Sequence, residues 1–161
     1  MDSRARREGP FGRTRMNPFV LLLLEDSEED IFLFQRAISR VGRTLVCKTV
    51  RDGMDAQQYL RGEGRYANRD EFPMPSVIFS DLQLPGMTGL QFLEWLRQTP
   101  SLRALPCVIY SGSANPSDVQ TAYELGVTSF IVKPIDFGDW VSRLQVVLKF
   151  WMDIAQHPAM D

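Results

Sequence analysis

The sequence predicts an α/β fold, one doubly wound parallel sheet with helices on both faces, and three observations carry that prediction. Short apolar runs, 19–24 and 77–79 above all, are apolar throughout rather than alternating, as strands buried on both faces are. Five such runs alternate with five stretches of helical spacing, so each strand reaches its neighbour by a crossover, and right-handed crossovers leave few topologies. Polar residues with chemistry to offer stand where the runs stop: Glu25 and Asp26, Asp81, Ser111 and Lys133. In a parallel sheet those stops share one edge, the edge at which open α/β sheets bind their ligands.

The elements follow in order. Residues 1–17 are polar, with Arg4, Arg6, Arg7, Arg13 and Arg15 around Gly9, Pro10 and Gly12. They lack the apolar core of a signal peptide and are expected to be a disordered tail rather than a nucleic-acid arm. Met16 is a candidate natural start. The first strand spans 19–24, and Ser27 or Asp26 caps the helix after it, whose acidic first turn suits a positive N-terminus. Ile31, Phe34, Ile38 and Val41 mark its buried face, and Gly42 ends it.

A second strand covers 45–50. Asp52 and Gly53 make a turn, and Ala56, Tyr59 and Leu60 mark a short second helix. The connection 62–75 is near the upper limit for a compact domain, which makes it either functional or mobile. After the Asp81 strand, Pro85, Gly86 and Gly89 force a loop, and a helix from about residue 88 to 98 buries Leu90, Leu93, Trp95 and Leu96 to different extents. The fourth strand, 107–110, runs into Ser111, Gly112 and Ser113. Asn115, Pro116 and Asp118 start a helix that Gly126 closes. The fifth strand, 129–132, leads to Lys133 and Pro134, and a last helix is expected from 136 to 157. Its stripe of Trp140, Leu144, Val147, Leu148, Trp151 and Ile154 faces the core. Val146, Phe150 and Met152 lie off that stripe and point to a further buried contact, most simply a homodimer.

Bulk properties narrow the function. At 161 residues with 44% apolar and 24% charged content, the chain is one soluble domain, expected over 18–157, with a short tail at 158–161. A net charge of −2 does not argue for nucleic acid, and no apolar run approaches the ~18 residues of a membrane span. The single histidine, His157, argues against multi-histidine metal sites and histidine-based triads. Cys47 and Cys107 lie in apolar runs and read as buried, reduced thiols of a cytoplasmic protein.

Taken singly, the strand-end residues have ordinary explanations: a solvated helix start, an exposed lysine, a turn serine. Together they make a site. Three carboxylates brought close stay ionised only beside a cation or with their pKa values pushed apart. Hard oxygen donors with room for water suit Mg²⁺. Lys133, the Ser111 hydroxyl and the backbone N–H of Gly112 would then suit a phosphoryl group carried on Asp81.

With acid pair, central aspartate, hydroxyl, lysine and proline in this order, the stretch from about residue 19 to 154 resembles the receiver domain of two-component response regulators. The resemblance implies a flavodoxin-like (βα)5 fold with strand order 2-1-3-4-5. It implies that Asp81 is phosphorylated by a histidine kinase, that Glu25 and Asp26 orient Mg²⁺, and that the backbone carbonyl of Gln83 is a further ligand. It makes Ser111 the switch hydroxyl, Lys133 the phosphoryl-binding lysine, Lys133–Pro134 a cis peptide, and Phe130 the aromatic that turns inward on activation. The face built from the fourth helix, fifth strand and fifth helix would change shape with it. The long 62–75 connection and the aromatic last helix resemble the single-domain regulators paired with bacterial phytochrome-type kinases. Ser80, where the family usually has an apolar residue, departs from the pattern and needs a hydrogen-bond partner. Two other readings compete. A haloacid-dehalogenase-like phosphatase wants a second aspartate two residues after the first, where this chain has Gln83. A scaffold that ignores phosphorylation would have no use for the acids and the lysine.

Overall fold

Leucines fill both faces of the first strand, which lies inside the sheet with a neighbour on either side. The computed structural model describes residues 18–41 and 44–158. The arginine-rich segment 1–17, Gly42 and the last residues 159–161 lie outside the described residues. Strand β1 (Phe19–Leu24) pairs with β2 (Leu45–Val50) on one side and β3 (Val77–Asp81) on the other, followed by β4 (Cys107–Ser111) and β5 (Ser129–Val132). All pairs are parallel and the order is β2-β1-β3-β4-β5, as expected. Helices α1 (Glu28–Ser39) and α5 (Phe137–Lys149) cover one face, where Leu21 and Leu23 meet Phe34, Trp140, Leu144 and Leu148. Helices α2 (Gly53–Arg61), α3 (Gly89–Gln98) and α4 (Pro116–Glu124) cover the other, where Leu22 and Leu24 meet Ala56, Leu60, Phe92 and Leu96. Truncating one such leucine to alanine costs about 2–5 kcal/mol, a large share of a domain's stability.

Local chemistry fixes the helix starts. Ser27 caps α1 and accepts from the Asp30 N–H, and Asp52, expected in a turn, caps α2 and accepts from Asp55. Thr88 and Gln91 close a reciprocal capping box on α3. Asn115 and Asp136 cap α4 and α5. Every strand therefore ends close to a capped helix start.

The long connection 62–75 is held in place. The Arg69 guanidinium donates to the carbonyls of Tyr59, Leu60 and Phe72, closing the end of α2. Tyr66 and Phe72 pack on Tyr59 with ring centroids 5.0 and 6.0 Å away, and the Tyr59 hydroxyl donates to the Pro73 carbonyl at 2.8 Å. The segment enters the sheet at the amino end of β3, opposite the acids. The last helix departs from expectation: α5 stops at Lys149, a wider π-type turn spans Phe150–Ile154, and 155–158 is irregular. The extra residue in that turn rotates Ile154 off the buried stripe and into solvent. Cys107 is buried, Cys47 is half-buried, and both are free thiols. No helix among the described residues is long and apolar enough to cross a membrane.

Candidate functional site

The carboxyl ends of β1 and β3 bring three carboxylates together. Glu25 directly follows β1, and its N–H still donates to the Val50 carbonyl at 3.0 Å, so its side chain enters the protein with no exposure to water. Asp26 is exposed beside it, and Asp81, the last residue of β3, is half-buried. One oxygen from each of the three lies within 4.8 Å of the others. Two glycines shape the loop beyond Asp81. Gly86 has φ of 76°, and a Cβ on Gly89 would lie 2.5 Å from the Asp81 carbonyl oxygen, so only glycine lets α3 start this close.

Both Glu25 oxygens have partners. The Tyr110 hydroxyl donates to Oε2 at 2.6 Å and the Ser27 N–H to Oε1 at 3.1 Å. Burial nevertheless pushes the Glu25 carboxyl up to about 7, against the pull of these bonds. Asp81 is also raised by burial, opposed by the Gln83 N–H, which donates to its Oδ1 at 3.2 Å, and by the charge of Lys133. A cation among these oxygens would reverse that balance. Oxygen donors at this spacing, one buried and two reachable from solvent, fit a small hard divalent ion.

Lys133 makes its ion pair with a fourth acid. Its Nζ lies 2.8 Å from Asp30 Oδ2 on α1 and 5.2 Å from the centre of the Tyr110 ring. Its side chain is 16% exposed and that of Asp30 28%. Sequence reasoning missed both Asp30 and Tyr110. Asp30 passed as a helix-start acid, one of three in the first turn of α1. Tyr110 passed as strand core, although a buried hydroxyl always asks for a partner.

The other expected residues fall as follows. Ser111 is buried at the end of β4, with its Oγ accepting from the Ser113 N–H at 3.1 Å. Gly112 is exposed, with open space where a side chain would begin. Gln83 is exposed next to Asp81. Phe130 lies half-buried on the α2–α4 face, its N–H donating to the Tyr123 hydroxyl at 3.4 Å. Ser80 finds its partner next door, its Oγ donating to the Asp81 carbonyl at 2.9 Å. The cis peptide expected at Lys133–Pro134 is corrected: no peptide among the described residues is cis. An X–Pro bond favours trans by about 0.5–1 kcal/mol unless contacts select cis. Here the Lys133 N–H is anchored on the Ser111 carbonyl at 2.8 Å, and its side chain reaches Asp30 with the bond trans.

Comparison with known proteins agrees with this geometry. The family profile of the response regulator receiver domain matches residues 21–145. Response regulator Rcp1 of Synechocystis sp. is 34% identical over 144 residues, covering 88% of this chain and 95% of its own. The crystal structure of the phosphorylated cyanobacterial phytochrome response regulator RcpA matches with a TM-score of 0.83 at 34% identity, over 89% of this chain and 100% of that one. The Mn(2+)-bound form of Rcp1 matches with a TM-score of 0.81 at 32% identity, over 88% and 100%. The chain belongs to the response regulator receiver domain family, the regulators of two-component signalling.

Proposed function

We propose that Asp81 accepts a phosphoryl group from a histidine kinase, and that Glu25, Asp26 and Asp81, with the carbonyl of Gln83, hold Mg²⁺ for that transfer. The observation that carries this reading is the convergence of three carboxylates within 4.8 Å at the strand edge. An Asp81 oxygen attacks phosphorus, the P–N bond of the kinase phosphohistidine breaks, its electron pair returns to the imidazole, and an aspartyl phosphate results. Bound Mg²⁺ would neutralise phosphoryl oxygen charge. The Ser111 hydroxyl, the Gly112 N–H and Lys133 receive the phosphoryl oxygens, and Phe130 follows Ser111 inward, reshaping the α4–β5–α5 face. The chain is thus a phosphoacceptor that assists its own labelling and slow hydrolysis, rather than an enzyme turning over small substrates.

A phosphorylated relative and a Mn(2+)-bound one support the acceptor and the metal. The former is a phytochrome response regulator, which favours a phytochrome-type kinase as partner of this chain. Residues 18–157 form the receiver body in this reading, working in the cytoplasm without nucleic acid. Exposure of Val146 at 70%, Phe150 at 46% and Ile154 at 67% favours a homodimer through the C-terminal helix region. The test is intact-mass spectrometry after incubation with Mg²⁺ and acetyl phosphate, beside Asp81→Asn. One added phosphoryl group, confined to the wild type and lost with EDTA, is the expected result. A wild type that stays unlabelled by acetyl phosphate and by candidate kinases alike would favour a phosphorylation-independent scaffold.

A further inference from the structure

We infer that Asp30 is a competing counter-ion that holds Lys133 away from Asp81 until a phosphoryl group arrives, and so sets the free-energy difference between the two states of the site. The inference rests on the phosphoacceptor reading and adds to it a residue on α1. Asp30 Oδ2 takes the Lys133 ammonium at 2.8 Å, both side chains are largely shielded, and the Tyr110 ring flanks the ammonium at 5.2 Å. Asp30 lies close enough to Glu25 and Asp81 for its charge to act on both. One lysine therefore faces two claimants. Without a phosphoryl group, Asp30 holds it by a charge-assisted hydrogen bond. A phosphoryl group on Asp81 adds roughly −1.5 to −2 charges and new acceptor oxygens, enough to draw the ammonium across. The exchange leaves Asp30 without its cation among other acids, a cost charged only to the phosphorylated state. Removing the Asp30 charge removes that cost and frees the lysine beforehand, so the state carrying a phosphoryl group is favoured.

Asp30 is thus a positioning residue, acting through Lys133. The test titrates beryllofluoride, a stable phosphoryl mimic, into the full chain at saturating Mg²⁺, followed by fluorine NMR. Wild type, Asp30→Asn, Asp30→Ala, Asp30→Glu, Lys133→Ala and the Asp30→Asn/Lys133→Ala double variant are compared. Asp30→Asn and Asp30→Ala are expected to bind the mimic about three- to tenfold more tightly than wild type, the scale of coupling between neighbouring charges. Asp30→Glu, which keeps the charge, returns to within about twofold of wild type, and the gain vanishes when Lys133 is Ala. Unchanged or weaker binding in both neutral variants, or a gain that survives without Lys133, would overturn the inference and leave the phosphoacceptor reading intact. A wild type that takes up no beryllofluoride would sink the phosphoacceptor reading, and the inference with it.

Discussion

Replacing Tyr110 with Phe removes one hydroxyl and little else. The ring stays against Phe34 and Trp140, but the donor 2.6 Å from Glu25 Oε2 is gone. A hydrogen bond to a charged group contributes roughly 1.5–3 kcal/mol, whose lower end is about one pKa unit. Glu25 already lies at about 7, so the variant moves it to roughly 8. Metal binding requires the ionised carboxylate. At pH 7 the ionised fraction falls from about one half to about one tenth, a roughly fivefold loss of Mg²⁺ affinity. The same arithmetic gives about ninefold at pH 6 and only about twofold at pH 8. Isothermal titration with MgCl₂ at the three pH values reads this directly, with circular dichroism to show that the variant is folded. A loss of equal size at every pH would refute the titration argument. No loss at any pH would show that the hydroxyl does not hold Glu25.

Further outcomes follow from Glu25 and from the exposed side of α5. The folded state raises Glu25 from 4.5 to about 7, so its contribution to stability is full below the lower value and is lost as pH climbs through the higher one. Metal-free protein should melt at a lower temperature at pH 8 than at pH 5.5, and Mg²⁺ should recover the loss at pH 8. Differential scanning fluorimetry checks both, and a metal-free melting temperature that rises over that interval would contradict the sign. Val146→Glu places a charge in the exposed apolar strip of α5 and should shift sedimentation from dimer to monomer, weakening association by tenfold or more on the scale of a hot-spot residue. A wild type already monomeric at high concentration, phosphorylated or not, would remove the basis for the dimer.

Residues at the strand ends were legible because topology alone determines where they go. Once the runs are parallel, Glu25, Asp81, Ser111 and Lys133 must share an edge whatever their rotamers. Asp30 was not legible for the opposite reason. Its role depends on which way Lys133, a long flexible side chain, turns after leaving the sheet, and a sequence pattern carries no torsion angles. Tyr110 is similar: apolar periodicity places its ring correctly in the core but says nothing about where the hydroxyl ends up. The last helix misled at Ile154 because the hydrophobic stripe assumes a constant 3.6-residue turn, and one wider turn after Lys149 spoils the phase. Ser80 was flagged by its chemistry, and its neighbour's carbonyl answers the flag.

The narrow gap at Gly89 bears on inheritance as well as on folding. Every other amino acid carries a Cβ, and a Cβ here would collide with the carbonyl of Asp81 and crowd the backbone of Leu82. Both neighbours are main chain, so no side chain can swing aside to make room. A missense change in this codon therefore has no mild form. Alanine, the smallest replacement, already forces the start of α3 away from the residue proposed to carry the signal. In a collection of natural variants, position 89 should be as empty of substitutions as position 81, though it takes no part in the chemistry.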